Sequence, residues 1–179
     1  MKIYKTNFKD LVIIKSKNFK DSRGFLREIS LEKYLKKKLI FTIFFNSKKN
    51  VLRGLHMQTK NKQGKHVSVI KGKVFDIAVD MRKKSKTFGK FYKIILSDKN
   101  GKSLFIPAGF AHGFLGLDKE NIVVYSNDNY RSKKHEAGLR WNDKKLKISW
   151  PKVKFIISKK DKNNLSFEEF CKKKKITDG

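Results

Sequence analysis

Apolar residues along this chain fall in short blocks separated by polar or glycine-containing turns. Leu11–Ile14, Phe25–Ile29, Leu39–Phe45, Val51–Gln58, His66–Ile70, Val74–Asp80, Phe91–Leu96, Leu104–Ile106 and Ile122–Tyr125 each predict a strand. Asp21-Ser-Arg-Gly24, Asn46–Asn50, Lys71-Gly-Lys73 and Asp98-Lys-Asn-Gly101 supply the turns between them. The alternation is clearest over Val74–Asp80. There Phe75, Ile77 and Val79 share one face and Val74, Asp76, Ala78 and Asp80 the other. Carboxylates among small residues on one face predict a polar barrel interior rather than a dry core.

Helical spacing occurs twice. Ser30 is placed to cap a short helix carrying Leu31, Tyr34 and Leu35. Near the C-terminus, Ser166-Phe-Glu-Glu169 forms a capping box, with Leu165 and Phe170 at staple positions. The pattern predicts a mainly β fold, a barrel or sandwich with short peripheral helices and a helical tail over 165–175. No linker, repeat or low-complexity segment divides residues 1–179, so one domain is expected.

The charge is lopsided, with 45 Lys and Arg against 16 Asp and Glu, a net +29. Such a chain admits an anionic partner. The lysines are nevertheless scattered along its whole length, and the runs Lys36–Lys38 and Lys172–Lys175 fall at expected helix ends, where cations favour the dipole. This points to a basic solvated surface, without specific nucleic-acid recognition. Cys171 is alone, which excludes an intramolecular disulfide and fits a reducing compartment. No apolar run approaches membrane-spanning length and no secretory leader is visible, so a cytoplasmic protein without membrane contact is expected.

Candidate chemistry concentrates in Val51-Leu-Arg-Gly-Leu-His-Met-Gln58, which carries Arg53, His56 and Gln58. Regular alternation puts Val51, Arg53 and Leu55 on one face and Leu52, Gly54 and His56 on the other. A second stretch, Phe105-Ile-Pro-Ala-Gly-Phe-Ala-His-Gly-Phe114, brings His112 among glycines and apolar residues. The four histidines include no His-x-His or His-x-x-x-His pair, which argues against a metal centre. No serine sits between elbow glycines, and Cys171 lies in the tail. General acid–base chemistry remains: His56 could act as a base polarised by an acid, and Lys65 could hold a developing oxyanion. Each of these residues alone also has an ordinary structural role.

Taken together, the motifs resemble a known family. Arg53-Gly-Leu-His-Met-Gln58 followed by Gln63-Gly-Lys65 is similar to the first signature of the dTDP-4-dehydrorhamnose 3,5-epimerases. Asp21-Ser-Arg-Gly-Phe25, Val74–Asp80, Ser85-Lys-Thr-Phe-Gly89, Ile106–Phe114, Leu139-Arg-Trp-Asn-Asp143 and Ile148-Ser-Trp-Pro151 agree with the family in order, over about residues 10 to 162. The resemblance implies a metal-free, cofactor-independent cupin jelly roll. It also implies a homodimer that inverts C3 and C5 of a nucleotide-linked 4-keto-6-deoxyhexose. Related enzymes on this scaffold epimerise one carbon or isomerise the ketone, and a non-catalytic cupin binding sugar or nucleic acid is the remaining alternative. By the same resemblance His56 is the base and Asp161 its partner, Lys65 the cation at the C4 oxygen, and Tyr125 the acid on the other ring face. Arg23, Glu28, Asn46, Arg53, Gln58, His112 and Lys160 are implied to contact the substrate. Phe44-Phe-Asn-Ser47 departs from the family's Gln-x-Asn-x-Ser, and His66 stands where an aliphatic residue is common.

Overall fold

A computed structural model describes residues 1–29 and 32–173; Ser30, with the cap expected of it, Leu31 and the end of the basic tail lie outside the described residues. The chain begins with β1 (Lys2–Lys5), β2 (Val12–Lys15), the hairpin β3 (Phe19–Asp21) and β4 (Gly24–Leu26), and α1 (Glu32–Leu35). The body follows as β5 (Phe41–Lys48), β6 (Val51–Gln58), β7 (Lys65–Lys71), β8 (Lys73–Asp80), β9 (Phe91–Ser97), β10 (Lys102–Ile106), β11 (Phe110–Gly116) and β12 (Glu120–Asn127). It closes with β13 (Glu136–Gly138), β14 (Ile156–Ile157), α2 (Lys159–Lys162) and α3 (Phe167–Lys173).

Two larger sheets form the molecule, ordered β1-β2-β10-β7-β12-β5 and β13-β6-β11-β8-β9. Among the strands named above, pairing is antiparallel except for β14, which runs parallel to β6. One core cluster contains Val67, Val69, Leu104 and Val123 from the first sheet and Val74, Ala78, Leu96 and Phe114 from the second. A second cluster gathers Leu55, Met57, Ile77 and Val79 with Leu139, Leu146 and Phe170. Strands β8 and β11 are therefore covered on both faces, and all of β11 is buried. Each fully buried Leu, Ile or Phe contributes about 1.5–3 kcal/mol relative to exposure.

This double burial corrects the expectation of a polar interior. Val74 and Ala78 belong to the apolar core, and Asp76, fully buried beside them, is engaged by His112. Asp80 ends its strand, where its carboxylate accepts hydrogen bonds from Arg82, Ser85 and Thr87. Strand β1 was not legible because all four residues are exposed and its order rests on pairing with β2. The C-terminal helix matches its signature: Ser166 N donates to Glu169 Oε2 at 2.8 Å, and Glu169 N donates to Ser166 Oγ at 3.2 Å. Between β13 and β14 a long loop is fixed by Trp150 Nε1, which donates to Trp141 O at 2.8 Å. Trp150 packs on Phe75 and Trp141 on Phe155.

Candidate active site

The site is built around an irregularity in β6. His56 pairs with His112 and Arg53 with Phe114, so Gly54 and Leu55 together face the single residue Gly113. This bulge reverses the phase of side-chain alternation. Arg53 and His56 consequently line the same pocket, where regular alternation had placed them on opposite faces. Gly54 is required at the bulge: its φ is +113°, and a Cβ would lie 2.6 Å from Gly113 Cα.

Parallel pairing of β14 with Val51 and Leu52 carries α2 alongside β6. Ser158 caps that helix, its Oγ accepting from Asp161 N at 3.1 Å. The Asp161 carboxylate then spans the bulge, with Oδ1 2.6 Å from His56 Nε2 and Oδ2 accepting from Gly54 N at 3.2 Å. Burial pushes this carboxyl up, but the His56 hydrogen bond and charge and the Gly54 N–H together hold it below its ordinary value. A carboxylate in this position orients the imidazole and fixes its tautomer.

The facing wall comes from the first sheet. Phe41, Ile43 and Phe45 project inward from β5, Lys65 from the start of β7 and Tyr125 from β12. The Lys65 ammonium lies 5.6 Å over the Tyr125 ring. Burial lowers Lys65 to about 8, against the opposing pull of Asp76, Glu136 and Asp128. Burial and the Asp76 charge push the Tyr125 phenol well above its ordinary value, with Arg53 opposing. At the back, His112 Nε2 lies 2.8 and 3.0 Å from the two Asp76 oxygens, and its ring meets Tyr125 edge-on at 5.1 Å. Arg53 is held by Ser47 Oγ at 2.9 Å and the Phe45 ring at 5.4 Å. Along the rim, Glu136 bridges Arg131 at 2.6 Å and Lys160 at 3.1 Å. Those contacts, Arg131 first, hold its carboxyl down to about 2 although burial opposes them. The pocket volume is about 400 Å³.

Eight of the residues singled out from sequence thus line one pocket: Arg53, His56, Gln58, Lys65, His112, Tyr125, Lys160 and Asp161. Gln58 lines it with its amide already engaged, donating to Asn61 O and accepting from Ser132 N. Three residues stand elsewhere in this chain. Asn46 faces outward, because inward and outward residues alternate along β5, and its amide donates to Glu120. Arg23 and Glu28 are exposed on and just after the β3–β4 hairpin, and Arg23 pairs with Asp21 at 2.6 Å. Asp76, Arg131 and Glu136 were not foreseen in the site. Only Asp76 left a signal, as a carboxylate within an apolar strand pattern. Among the described residues no three His, Cys, Asp or Glu side chains gather to hold a metal ion.

The sequence model of the dTDP-4-dehydrorhamnose 3,5-epimerase family matches residues 5–169. The chain belongs to this family. The dTDP-4-dehydrorhamnose 3,5-epimerase of Shigella flexneri is 42% identical over 174 residues, covering 93% of this chain and 96% of its own. Among solved epimerases, that of Legionella pneumophila, in complex with dTDP-4-keto-L-rhamnose, superimposes with a TM-score of 0.92 at 36% identity, covering 97% of this chain and 96% of that one. The Bacillus anthracis enzyme, with TDP and pyrophosphate bound, gives 0.88 at 38% identity, covering 93% and 99%. The cupin-like jelly roll expected from the motifs is the fold of these epimerases. No helix among the described residues is long and apolar enough to cross a membrane.

Proposed function

We propose that this epimerase inverts C3 and C5 of dTDP-4-dehydro-6-deoxy-D-glucose, giving dTDP-4-dehydro-L-rhamnose. One observation carries the assignment of roles: His56 and Tyr125 enter one cavity from two facing sheets, and Lys65 stands beside Tyr125. The C4 ketone acidifies the protons on its neighbouring carbons. The His56 ring nitrogen not engaged by Asp161 takes the C3 proton, and the released electron pair forms the C3–C4 enolate. Lys65 stabilises the negative charge that develops on the C4 oxygen. Tyr125, protonated at neutral pH, delivers a proton to the opposite ring face. Solvent restores both groups, and the cycle repeats at C5. Arg53 and Lys160 offer cationic contacts to the diphosphate. Incubation with the 4-keto substrate in deuterated water tests this reading: deuterium enters both C3 and C5 of an inverted product. Label confined to one carbon contradicts double inversion.

The working unit is a cytoplasmic homodimer. The β3–β4 hairpin exposes Phe19 by 53%, Phe25 by 53% and Leu26 by 63%, an apolar group beside Arg23 that a second copy would cover. Docked there, Arg23 and Glu28 reach the partner's pocket. Mixing Arg23→Ala and His56→Asn chains tests the arrangement. Restored turnover is expected, because one site in a mixed dimer is then complete; activity no greater than the two parents contradicts it.

A further inference from the structure

Asp161 approaches His56 on a short helix, and the chain leaving that helix is wedged against the strand on the other side of His56. Strand β13 pairs with β6 so that Gly138 stands opposite His56. Its end is stitched to β6 by hydrogen bonds in both directions between Leu139 and Leu55, at 2.9 and 3.3 Å. Residues 164 and 165 dock on the same segment: Leu165 bridges Leu139, and Leu165 O accepts from Arg140 N at 2.7 Å. The Asn164 amide lies where a side chain at position 138 would project. A Cβ on Gly138 would fall 2.1 Å from Asn164 Oδ1, 2.3 Å from Cγ and 2.5 Å from Nδ2. Asn164 is only 9% exposed, and its Nδ2 has no hydrogen-bond partner among the described residues.

We infer that the Asn164–Gly138 contact is a positioning device that sets how closely Asp161 approaches His56. Asn164 follows directly on Asn163, the C-cap of the helix that carries Asp161, so a displacement of Asn164 is passed to that helix. On the other side of Asp161, β14 is tied to β6. The carboxylate is therefore held from both directions, and the depth of the Asn164 contact fixes its reach. This inference rests on the reading of His56 and Asp161 as the proton-abstracting pair.

The test is steric complementation. Gly138→Ala pushes Asn164 and α2 outward, and kcat is expected to fall on the order of 10- to 100-fold, the scale of an ångström-sized misplacement, with KM changed far less. The acid limb of the kcat/KM profile moves to higher pH with it, because the Asp161 carboxyl loses the His56 and Gly54 contacts that hold it low. Gly138→Ala combined with Asn164→Gly makes room for the added methyl and recovers most of the rate and the original pH profile. Thermal denaturation of each variant separates folding from positioning. A lowered Tm with unchanged kcat and pH profile overturns the proposal, as does a double variant no faster than Gly138→Ala. Asp161→Asn serves as the control for the underlying reading. If it leaves rate and profile intact, the dyad assignment fails; if it alters both while Gly138→Ala does not, only the wedge fails.

Discussion

The Lys65 ammonium lies 5.6 Å over the Tyr125 ring, placing the cation assigned to the C4 oxygen and the phenol assigned to reprotonation on the same wall. Lys65→Ala is expected to lower kcat by roughly 10²–10³, the usual scale for an oxyanion donor, with little change in substrate affinity. Burial brings the ammonium to about 8. It is charged below that pH and neutral above it, so kcat should fall as pH rises through about 8. A pH–rate profile measured up to pH 10 checks this. A large rise in KM at unchanged kcat would instead make Lys65 a ground-state contact.

The two proton-transfer groups should separate in deuterated water. His56→Asn is expected to abolish both turnover and exchange of the C3 and C5 protons. Tyr125→Phe still allows enolate formation, so label enters with configuration retained while inverted product slows by about 10²–10⁴. NMR of label position against product stereochemistry reads both outcomes. Normal inversion by Tyr125→Phe, or residual exchange by His56→Asn, removes the two-face assignment.

Gly54→Ala tests the bulge. The new methyl would meet Gly113 Cα at 2.6 Å and His112 O at 2.7 Å, at a φ of +113°. Strain and overpacking together should destabilise the fold by about 2–5 kcal/mol. Denaturant unfolding measures the loss, which should exceed that of Gly24→Ala, where no atom lies within 4 Å of the added carbon.

His66 makes the protein acid-sensitive. Its ring is buried against Ser103 Oγ at 2.7 Å, and burial lowers it to about 4. Between that value and the ordinary 6.5 the unfolded chain binds a proton that the folded chain does not, so stability falls as pH drops through this window. The loss is on the order of 3 kcal/mol at pH 4, from about 1.4 kcal/mol per pH unit. Urea midpoints of the protein and of His66→Leu should diverge below pH 6.5, with His66→Leu the less acid-sensitive.

Much of the fold was legible because strand periods and turn residues are local signals. Val51–Gln58 and Phe91–Leu96 read directly from composition, and Ser166 with Glu169 marked α3. β1 carried no such signal, since its four residues are all exposed and its order comes from pairing with β2. Within the site, motif resemblance brought His56, Lys65, Tyr125 and Asp161 together. What it missed was phase and direction. The Gly54 bulge reversed the face of Arg53, and alternation along β5 turned Asn46 outward. Glu136 was invisible because its importance lies in bridging Arg131 and Lys160, groups joined only by the fold.

The loop that ties Trp150 to Trp141 determines how this protein can be watched. These are its two tryptophans, and both line an open cleft on that outer loop rather than the catalytic cavity. Intrinsic tryptophan emission therefore reports release of the loop from the second sheet and should remain nearly constant as sugar nucleotide fills the site. Ligand occupancy needs another probe: tyrosine absorbance at Tyr125, or a tryptophan introduced at Phe41 on the cavity wall.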